Sequence, residues 1–330
     1  MINYCTCVNI PASLFDITYE DRLMFLGSCF ADNIGMRMTG RRFNVCVNPF
    51  GVLYNPLSVA LGCKRLLKPL PFAEDDLFYD DGMYHSFMHH GKFSGVSIAD
   101  SLVKMNGALS AAAVFFRNIS YLVITFGTAY VYRLKSDGRV IANCHKLPVK
   151  QFERGLLTVD RIVDEWSVLL EHIWSENPLL KVIFTVSPIR HWKDGAHFNQ
   201  ISKATLLLAE QALAEKYADR ISYFPAYELM MDELRDYRFY ADDMFHPSDI
   251  AVDYIWKRFC DVYMNMDIKE VLKEVENINR ALNHRPLNPS AGAYKQFLMQ
   301  TLLKIRRLRS KNPYICLLEE EREIASKLQE

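Results

Sequence analysis

The chain has 330 residues, of which half are hydrophobic and 24% are charged, a composition typical of globular proteins and not of disordered ones. Acidic and basic residues balance at 39 each, so no overall field attracts nucleic acids or anionic membranes, and we expect neither as a partner. The length suits one large α/β domain with appended helices, or two ordinary domains.

The N-terminal segment, residues 1–15, lacks a basic stretch followed by a long apolar core. We therefore expect no signal peptide and a cytoplasmic protein. No stretch of the chain approaches the ~20 apolar residues of a membrane span. In the cytoplasm the eight cysteines are expected to be free thiols. Their one close pair, Cys5 and Cys7, supplies too few ligands for a zinc site.

Strands and helices alternate in the first part of the chain. The pattern predicts a strand at 22–27, a helix at 28–38, a strand at 43–48, a helix at 57–67 and a helix at 100–117. Phe30, Ile34 and Met38 recur every four residues and give the first helix one apolar face. Residues 72–97 are rich in aromatic residues and histidines, and we expect them to form an irregular surface insertion.

The alternation continues in the second part. The predicted elements there are strands at 121–126, 181–186 and 221–224, and helices at 158–174, 200–217 and 248–263. Asp137 and Gly138 predict the turn of a hairpin that follows the strand at 121–126. Strands that alternate with helices predict an α/β fold with a mostly parallel sheet covered by helices on both faces. Open sheets of this kind bind ligands at the carboxyl ends of their strands.

From about residue 266 the chain becomes helical and charged, with a Pro/Asn-rich break at 283–290. We therefore divide it into a main domain, residues 1–265, and a helical C-terminal extension, residues 266–330. The extension is expected to pack on the main domain or on a partner, and it offers a surface for oligomer formation. Its basic run is interpreted as a solvated helix face and consists of Lys304, Arg306, Arg307, Arg309 and Lys311.

A serine lies at the first strand-to-helix junction, within the sequence GSCFA that begins at Gly27. At such a turn, the N–H groups of the helix N-terminus face outward and can hold an oxyanion. Ser28 is therefore a candidate nucleophile. A structural alternative stays open, because serine is also a preferred N-cap residue.

A second motif, D-x-x-H at residues 243–246, precedes the last predicted helix of the main domain. This spacing lets the carboxylate contact the imidazole of its own segment, which fixes the tautomer and leaves the other ring nitrogen free as a base. The alternative is an incidental histidine in a helix-entry loop with Ser248 as N-cap. Taken together, the two motifs predict a catalytic group of Ser28, Asp243 and His246, with Ser28 Oγ within about 4 Å of His246 Nε2.

The segment around Ser28 gives the chain a resemblance to the GSCFA family, which is grouped with the SGNH (GDSL-like) hydrolases. The similar stretches lie within residues 22–260 and read GSCFA, NPFGVLYNP, TFGTAYVY, NCHK, SPIRH and DYRFYADDMFHPS. The resemblance implies a flavodoxin-like three-layer fold for the catalytic domain, residues 1–265. It also implies a serine nucleophile and an ester substrate.

The resemblance implies roles for individual residues. Ser28 takes the position of the nucleophile, and Asp243 and His246 match the D-x-x-H block. Gly51 lies where the second block offers a backbone N–H to the oxyanion, and Gly127 lies where the third block begins.

The third block departs from the family pattern. The SGNH sequence there is G-x-N-D, whereas this chain reads G-T-A-Y at residues 127–130. Ala129 therefore replaces the asparagine that completes the oxyanion hole, and losing one such donor typically costs about 10²–10³ in rate. Either Thr128, Asn48 or Asn55 substitutes for it, or the activity is weak, or the chemistry differs.

Further polar and aromatic groups follow the predicted strands. Residues 190–192 come directly after the strand at 181–186, and His191 is a candidate to line the substrate cleft. Residues 143–146 are interpreted either as part of the cleft wall or as an ordinary loop. The aromatic side chains of residues 237–240 are interpreted as core or pocket wall.

Other chemistries have weaker support. His85, His89 and His90 cluster in sequence but lack a nearby pair of helical ligands, so we expect no metal site. No glycine-rich phosphate loop or dinucleotide fingerprint occurs, so we expect no cofactor. No G-x-S-x-G motif occurs either, which disfavours the α/β-hydrolase nucleophile elbow.

The sequence thus predicts a serine esterase acting on small acyl esters, with an acylated carbohydrate as the substrate by analogy with relatives. An acyltransferase with the same site is an alternative, because the outcome depends on whether water or an alcohol reaches the acyl-enzyme. A non-catalytic binding or scaffold protein on the same fold is a second alternative, which the alanine at position 129 favours.

Overall fold

The structure is a computed structural model that describes residues 6–13, 15–284 and 292–329. Cys5 and most of the predicted break at 283–290 lie outside the described residues. The strands are β1 (Arg22–Gly27), β2 (Asn44–Val47), β3 (Phe78–Asp80), β4 (Met83–His85), β5 (Tyr121–Phe126), β6 (Tyr130–Leu134), β7 (Val140–Ile141), β8 (Phe152–Leu156), β9 (Lys181–Val186) and β10 (Ile221–Tyr223). The helices are α1 (Cys29–Gly40), α2 (Pro56–Leu67), α3 (Ile98–Phe116), α4 (Val159–Glu176), α5 (Gly195–Lys216), α6 (Ala226–Glu228), α7 (Asp249–Tyr263), α8 (Met266–Leu282), α9 (Gly292–Lys311) and α10 (Leu318–Gln329).

A five-stranded parallel sheet organises the fold, with the strand order β2-β1-β5-β9-β10. The register places Phe25 of β1 beside Val123 of β5, which lies beside Ile183 of β9. The predicted α/β fold with a mostly parallel sheet is therefore confirmed. In this order, the chain leaves β1 toward β2 on one side and then returns to β5 on the other. The carboxyl ends of β1 and β5 thus flank the topological switch point, where open sheets of this type bind ligands.

Helices cover both faces of this sheet. Successive side chains of a strand point to opposite faces, so apolar residues on both faces need a covering layer. Leu23 and Phe25 of β1 pack into one apolar cluster with α1, α7 and the C-terminal helices. Met24 and Leu26 of the same strand pack into a second cluster with helices α2 to α5. Both clusters are built from fully buried aliphatic and aromatic side chains, and the result is a three-layer architecture.

Side-chain caps fix where most of the helices begin. The caps that accept a hydrogen bond from the first helical turn are Ser28 for α1, Asn55 for α2, Ser97 for α3, Thr158 for α4, Ser248 for α7 and Asn265 for α8. Helix α5 begins at Gly195, earlier than the predicted residue 200, and Asp194 makes no side-chain cap there. Among the described residues, no helix is both long and apolar enough to cross a lipid bilayer.

Two small antiparallel sheets supplement the main sheet. Strands β6 and β7 form the predicted hairpin, with Gly138 at a φ of 73° in its turn. Strand β8 pairs with the other edge of β6 and was not predicted, because four of its five residues are exposed and show no alternation. The segment at 72–97, predicted to be irregular, contains the β3–β4 hairpin with Asp81 and Gly82 at positive φ. It also buries His89 and Phe93, so part of it belongs to the core.

The C-terminal region is helical, as predicted, and it packs on the α1 side of the sheet. Val275 of α8 and Ile305 of α9 are fully buried in the same cluster as the apolar face of α1. Ion pairs support this contact, since Arg41 binds Glu276 at 2.7 Å and Arg42 binds a glutamate of α10. The extension therefore completes the core on one face of the sheet.

Candidate active site

The first candidate motif begins with a glycine whose backbone position leaves no room for a side chain. Gly27 has a φ of +140°, and a Cβ built on it would lie 2.1 Å from the carbonyl oxygen of Thr125. Its N–H donates to Asn48 Oδ1 at 2.9 Å. This close approach of β1 to β5 turns the chain sharply, so that Ser28 follows directly at the carboxyl end of β1.

Ser28 is the N-cap of α1. Its Oγ accepts a hydrogen bond from the N–H of Phe30 at 3.3 Å, and the residue is only 1% exposed. Its own N–H donates to Thr125 O at 3.1 Å. The structural alternative considered for this serine is therefore realised, at a position that also lies at the switch point of the sheet.

Cys29, the neighbour of Ser28, is a poor nucleophile in this environment. Burial raises the pKa of the Cys29 thiol to about 11, and the nearby carboxylate of Asp32 acts in the same direction. Lys203 partly opposes these effects. At neutral pH the thiol is protonated, whereas thiolate is the reactive form of cysteine.

The D-x-x-H motif forms a well-defined dyad. His246 Nδ1 lies 2.5 Å from Asp243 Oδ2, while Asp243 Oδ1 accepts the backbone N–H groups of Phe245 and His246, each at 2.9 Å. These backbone hydrogen bonds, followed by the imidazole, lower the pKa of Asp243 to about 2. The carboxylate fixes the tautomer with the proton on Nδ1. Nε2 then carries the free lone pair, and it has no hydrogen-bond partner among the described residues.

The loop that carries the dyad is held against the loop after β9. The ring of Phe245 stacks on that of Trp192, with centroids 5.6 Å apart and planes 29° from parallel. Within the loop, the N–H of Ala241 donates to His246 O at 2.8 Å, and Met244 has a φ of +62°. These contacts tie the dyad loop to the loop that follows β9.

No hydrogen bond joins Ser28 Oγ to His246 within the described chain; Oγ accepts from the N–H of Phe30, and Nε2 has no partner. Catalytic hydrogen bonds are often long or unformed without substrate and tighten only in the complex. The predicted approach of Ser28 Oγ and His246 Nε2 to within about 4 Å stays a prediction.

The groups predicted to hold an oxyanion near β2 are engaged with one another. The N–H of Gly51 donates to Asn48 O at 2.8 Å, in a turn where Gly51 has a φ of +81°. Asn48 uses Oδ1 for Gly27 and donates from Nδ2 to Asp32 Oδ1 at 2.7 Å. Asn48 thus braces the β1–α1 turn from the side of β2.

Two further oxyanion candidates also have structural partners. Asn55 is the buried N-cap of α2, where Nδ2 donates to Ser58 Oγ at 2.9 Å. The N–H groups of Gly127 and Thr128 both donate to Tyr54 O, at 2.7 and 3.0 Å.

Position 129, where the SGNH sequence pattern has an asparagine, is an apolar core position in this chain. Ala129 is fully buried in the apolar cluster shared with α2 to α5. Its N–H donates to Ser202 Oγ at 2.8 Å. Position 129 therefore offers no side-chain hydrogen-bond donor.

His191 lies at the carboxyl end of β5, and its expected place in a substrate cleft stays a prediction. A Cβ added to Gly127 would meet His191 Nε2 at 3.1 Å, so the imidazole covers the end of β5. The ring meets that of Tyr54 edge-on at 5.7 Å, and the backbone N–H donates to Asn199 Oδ1 at 2.9 Å. Burial, followed by the charges of Lys203 and His246, lowers the pKa of His191 to about 3. The imidazole is therefore neutral at physiological pH.

Lys203 is a site residue that the sequence analysis missed. This fully buried side chain of α5 donates from Nζ to Gly127 O and to Ser187 O, both at 2.7 Å. It thereby joins the carboxyl ends of β5 and β9 directly beneath His191. Burial lowers the pKa of Lys203 to about 7.

A sequence signal for this residue existed on the buried stripe of α5. Lys203, Leu206, Glu210 and Leu213 recur with helical spacing and are all buried, so two charged residues interrupt an apolar face. Burial raises the pKa of Glu210 well above its ordinary value, and both of its carboxyl oxygens are buried without a hydrogen-bond partner. Charged residues are rarely fully buried unless they are paired, so this stripe is unusual.

The remaining candidates lie away from the strand ends. His145 Nε2 contacts Ser86 O at 2.8 Å and Asn143 Nδ2 contacts His89 O at 3.3 Å, so residues 143–146 anchor the insertion at 72–97. Within the described residues, no group of three or more histidine, cysteine or acidic side chains is arranged to hold a metal ion.

The GSCFA family pattern matches residues 22–259, which include Ser28 and the dyad. The chain belongs to the GSCFA family. The C-terminal domain of GSCFA proteins matches residues 275–330. No curated protein matches the chain. Among solved structures, “a putative platelet activating factor from Streptococcus pneumonia” is similar at 11% identity and a TM-score of 0.35, covering 75% of this chain and 85% of that one.

Proposed function

We propose that this GSCFA protein is a serine esterase with an SGNH-like reaction centre within residues 1–265. The observation that carries the proposal is the 2.5 Å contact between His246 Nδ1 and Asp243 Oδ2, which leaves Nε2 free as a base. Ser28 supplies the hydroxyl at the carboxyl end of the neighbouring strand. The fold favours reaction at this edge of the sheet.

The proposed reaction begins when Ser28 Oγ releases its contact with the N–H of Phe30 and turns toward His246. Nε2 then takes the hydroxyl proton while Oγ attacks the acyl carbonyl. Asp243 stabilises the resulting imidazolium. The same proton passes to the leaving alcohol, and water attacks the acyl-enzyme with His246 again acting as base. Small acyl esters of carbohydrates are the proposed substrates.

His191 is the proposed oxyanion donor in place of the asparagine missing at position 129. It is neutral, covers the end of β5 and lies within electrostatic range of His246. A neutral imidazole retains one N–H donor, and a donor in a site shielded from water stabilises an oxyanion strongly. The N–H groups first considered for this role, those of Ser28 and Gly51, each bind a carbonyl oxygen in the free protein.

Labelling with a fluorophosphonate probe, together with hydrolysis of p-nitrophenyl acetate, tests the proposal. The wild-type chain should label and hydrolyse the ester, Ser28→Ala should do neither, and Cys29→Ala is the matched control that should keep both. Iodoacetamide inactivation combined with an active Ser28→Ala variant would identify a cysteine enzyme instead.

A binding protein on the same fold is the second candidate. It is favoured by the burial of Ser28 and by the engagement of its Oγ as a helix cap. This candidate predicts a folded wild-type chain that the fluorophosphonate does not label.

A further inference from the structure

We propose that a cleft beside the D-x-x-H loop binds a ligand in which an anionic group is attached to a flat ring. We name this the arginine–aromatic cleft; it is lined in part by Arg190, Arg235, Trp192, Tyr237, Tyr240 and Phe245. Under the proposed function, on which this assignment rests, the ligand is the alcohol portion of the ester and takes the place of the carbohydrate alcohol named there. Binding itself does not require Ser28.

The position of the cleft fits a substrate subsite. Its volume is about 530 Å³, within the usual range for small-molecule sites. Phe245 is the residue before His246, and Arg190 is the residue before His191. The cleft is therefore lined by the sequence neighbours of both histidines, although neither histidine lines it.

The charge of the cleft favours an anion. The Nε and Nη2 atoms of Arg190 lie 3.4 and 3.1 Å from Met231 Sδ, and sulfur is a weak acceptor. Among the described residues, Arg190 has no carboxylate within ion-pair distance. Arg235 has only Asp232 at 3.7 Å, and both side chains are more than half exposed. In the part of the chain that the structure describes, no acidic side chain lines the cleft.

The aromatic walls favour a ring. Trp192 is 47% exposed and Tyr237 is 77% exposed, although the phenyl ring of Phe245 supports the indole from behind. Exposed apolar side chains grouped in a concave site mark binding surfaces. Aromatic faces alone would also attract a quaternary ammonium group. The positive charges of the two guanidinium groups repel a cationic ligand. Guanidinium groups instead favour phosphate or carboxylate, to which they form paired hydrogen bonds.

Calorimetric titration of the full-length wild-type chain tests the assignment with four probes of similar size: benzyl phosphate, phenylacetate, benzyl alcohol and benzyltrimethylammonium. Binding of benzyl phosphate or phenylacetate, and not of the neutral or cationic probe, is the expected result. The stronger of the two anions identifies phosphate or carboxylate as the natural group. Equal binding of benzyl alcohol, or preference for the ammonium probe, overturns the proposal.

Substitutions of the two cleft arginines test whether the anionic group of the probe binds to them. Arg190→Gln and Arg235→Gln should each weaken binding of the preferred anion by roughly 10–100-fold, the range for hydrogen bonds to charged groups. Arg238→Gln is the matched control, because Arg238 pairs with Asp236 and does not line the cleft. If Arg190→Gln does not fold, Arg235→Gln decides. Unchanged binding in a folded variant of either cleft arginine refutes the assignment.

The binding result is independent of the esterase result. A chain that binds the anionic probe but is not labelled by fluorophosphonate keeps the arginine–aromatic cleft and loses the proposed reaction. A chain that is labelled but binds no anionic probe keeps the reaction and loses the cleft as an anion site.

Discussion

Lys203 binds backbone oxygens at the ends of β5 and β9 beside the candidate site. Replacing it tests how this buried amine changes the stability of the chain with pH. Its Nζ donates to Gly127 O and Ser187 O at 2.7 Å. Burial lowers its pKa to about 7, opposed by smaller effects of Glu210 and Cys29. The substitution Lys203→Met keeps most of the side-chain length and removes the charge and the donors.

The pH dependence of this substitution follows from proton linkage. An unfolded lysine titrates near 10.4, so between pH 7 and 10 the unfolded chain binds a proton that the folded chain does not. The contribution of Lys203 to the free energy of unfolding therefore rises with pH in this window. Linkage with a folded pKa of about 7 predicts that wild type gains about 2 kcal/mol over Lys203→Met between pH 7 and 9.

Other buried groups act in the opposite direction, so the comparison must be differential. Burial raises the pKa of Cys63 to about 12 and also raises that of Tyr263, and such groups remove stability as pH rises through their unfolded values. Subtracting the curve of Lys203→Met from that of wild type cancels these contributions.

Urea denaturation followed by tryptophan fluorescence at pH 7, 8 and 9 measures the difference. It is best done in a Glu210→Gln background, because Glu210 is buried near Lys203 and has a raised pKa. Lys216→Met, an exposed position on the same helix, is the matched control and should show no pH-dependent difference. A difference for Lys203→Met that is constant with pH, or that shrinks as pH rises, would refute the reasoning.

Three further substitutions test the site and the turn that carries it. Asp243→Asn should lower kcat for ester hydrolysis by about 10⁴-fold, because the amide no longer selects the tautomer of His246; a loss under tenfold contradicts the triad. His191→Phe should lower kcat by about 10²–10³-fold with a smaller change in KM, and an unchanged kcat removes it as the oxyanion donor. Gly27→Ala should strongly destabilise the chain, since its methyl meets Thr125 O at 2.1 Å; Gly40→Ala, with open space around its methyl, should not lower the urea midpoint.

The main sheet was predictable because buried parallel strands are continuous apolar runs. YLVITF and KVIFTV became β5 and β9 at the predicted bounds. The strand β8, FERGL, was not predictable in this way, because four of its five residues are exposed to solvent. It is held in place by its pairing with β6. Pairing with a distant strand leaves no local pattern in the sequence.

The candidate residues follow from local sequence patterns, whereas their surroundings do not. A serine after a glycine at a strand end, and an acid three residues before a histidine, are local patterns. The engagement of the Ser28 N–H by Thr125 O depends on the register of β1 on β5, which tertiary packing sets. The same holds for the burial that keeps His191 neutral.

Lys203 explains how the separate parts of the site hold a common geometry. Gly127 ends β5 and is covered by His191, and Ser187 begins the loop that carries His191. One amine nitrogen that donates to both carbonyl oxygens therefore fixes this loop relative to β5. A hydrocarbon side chain would be more favourable in the core but would leave both oxygens unsatisfied. We therefore expect Lys203 to act by positioning His191 and not by touching a substrate.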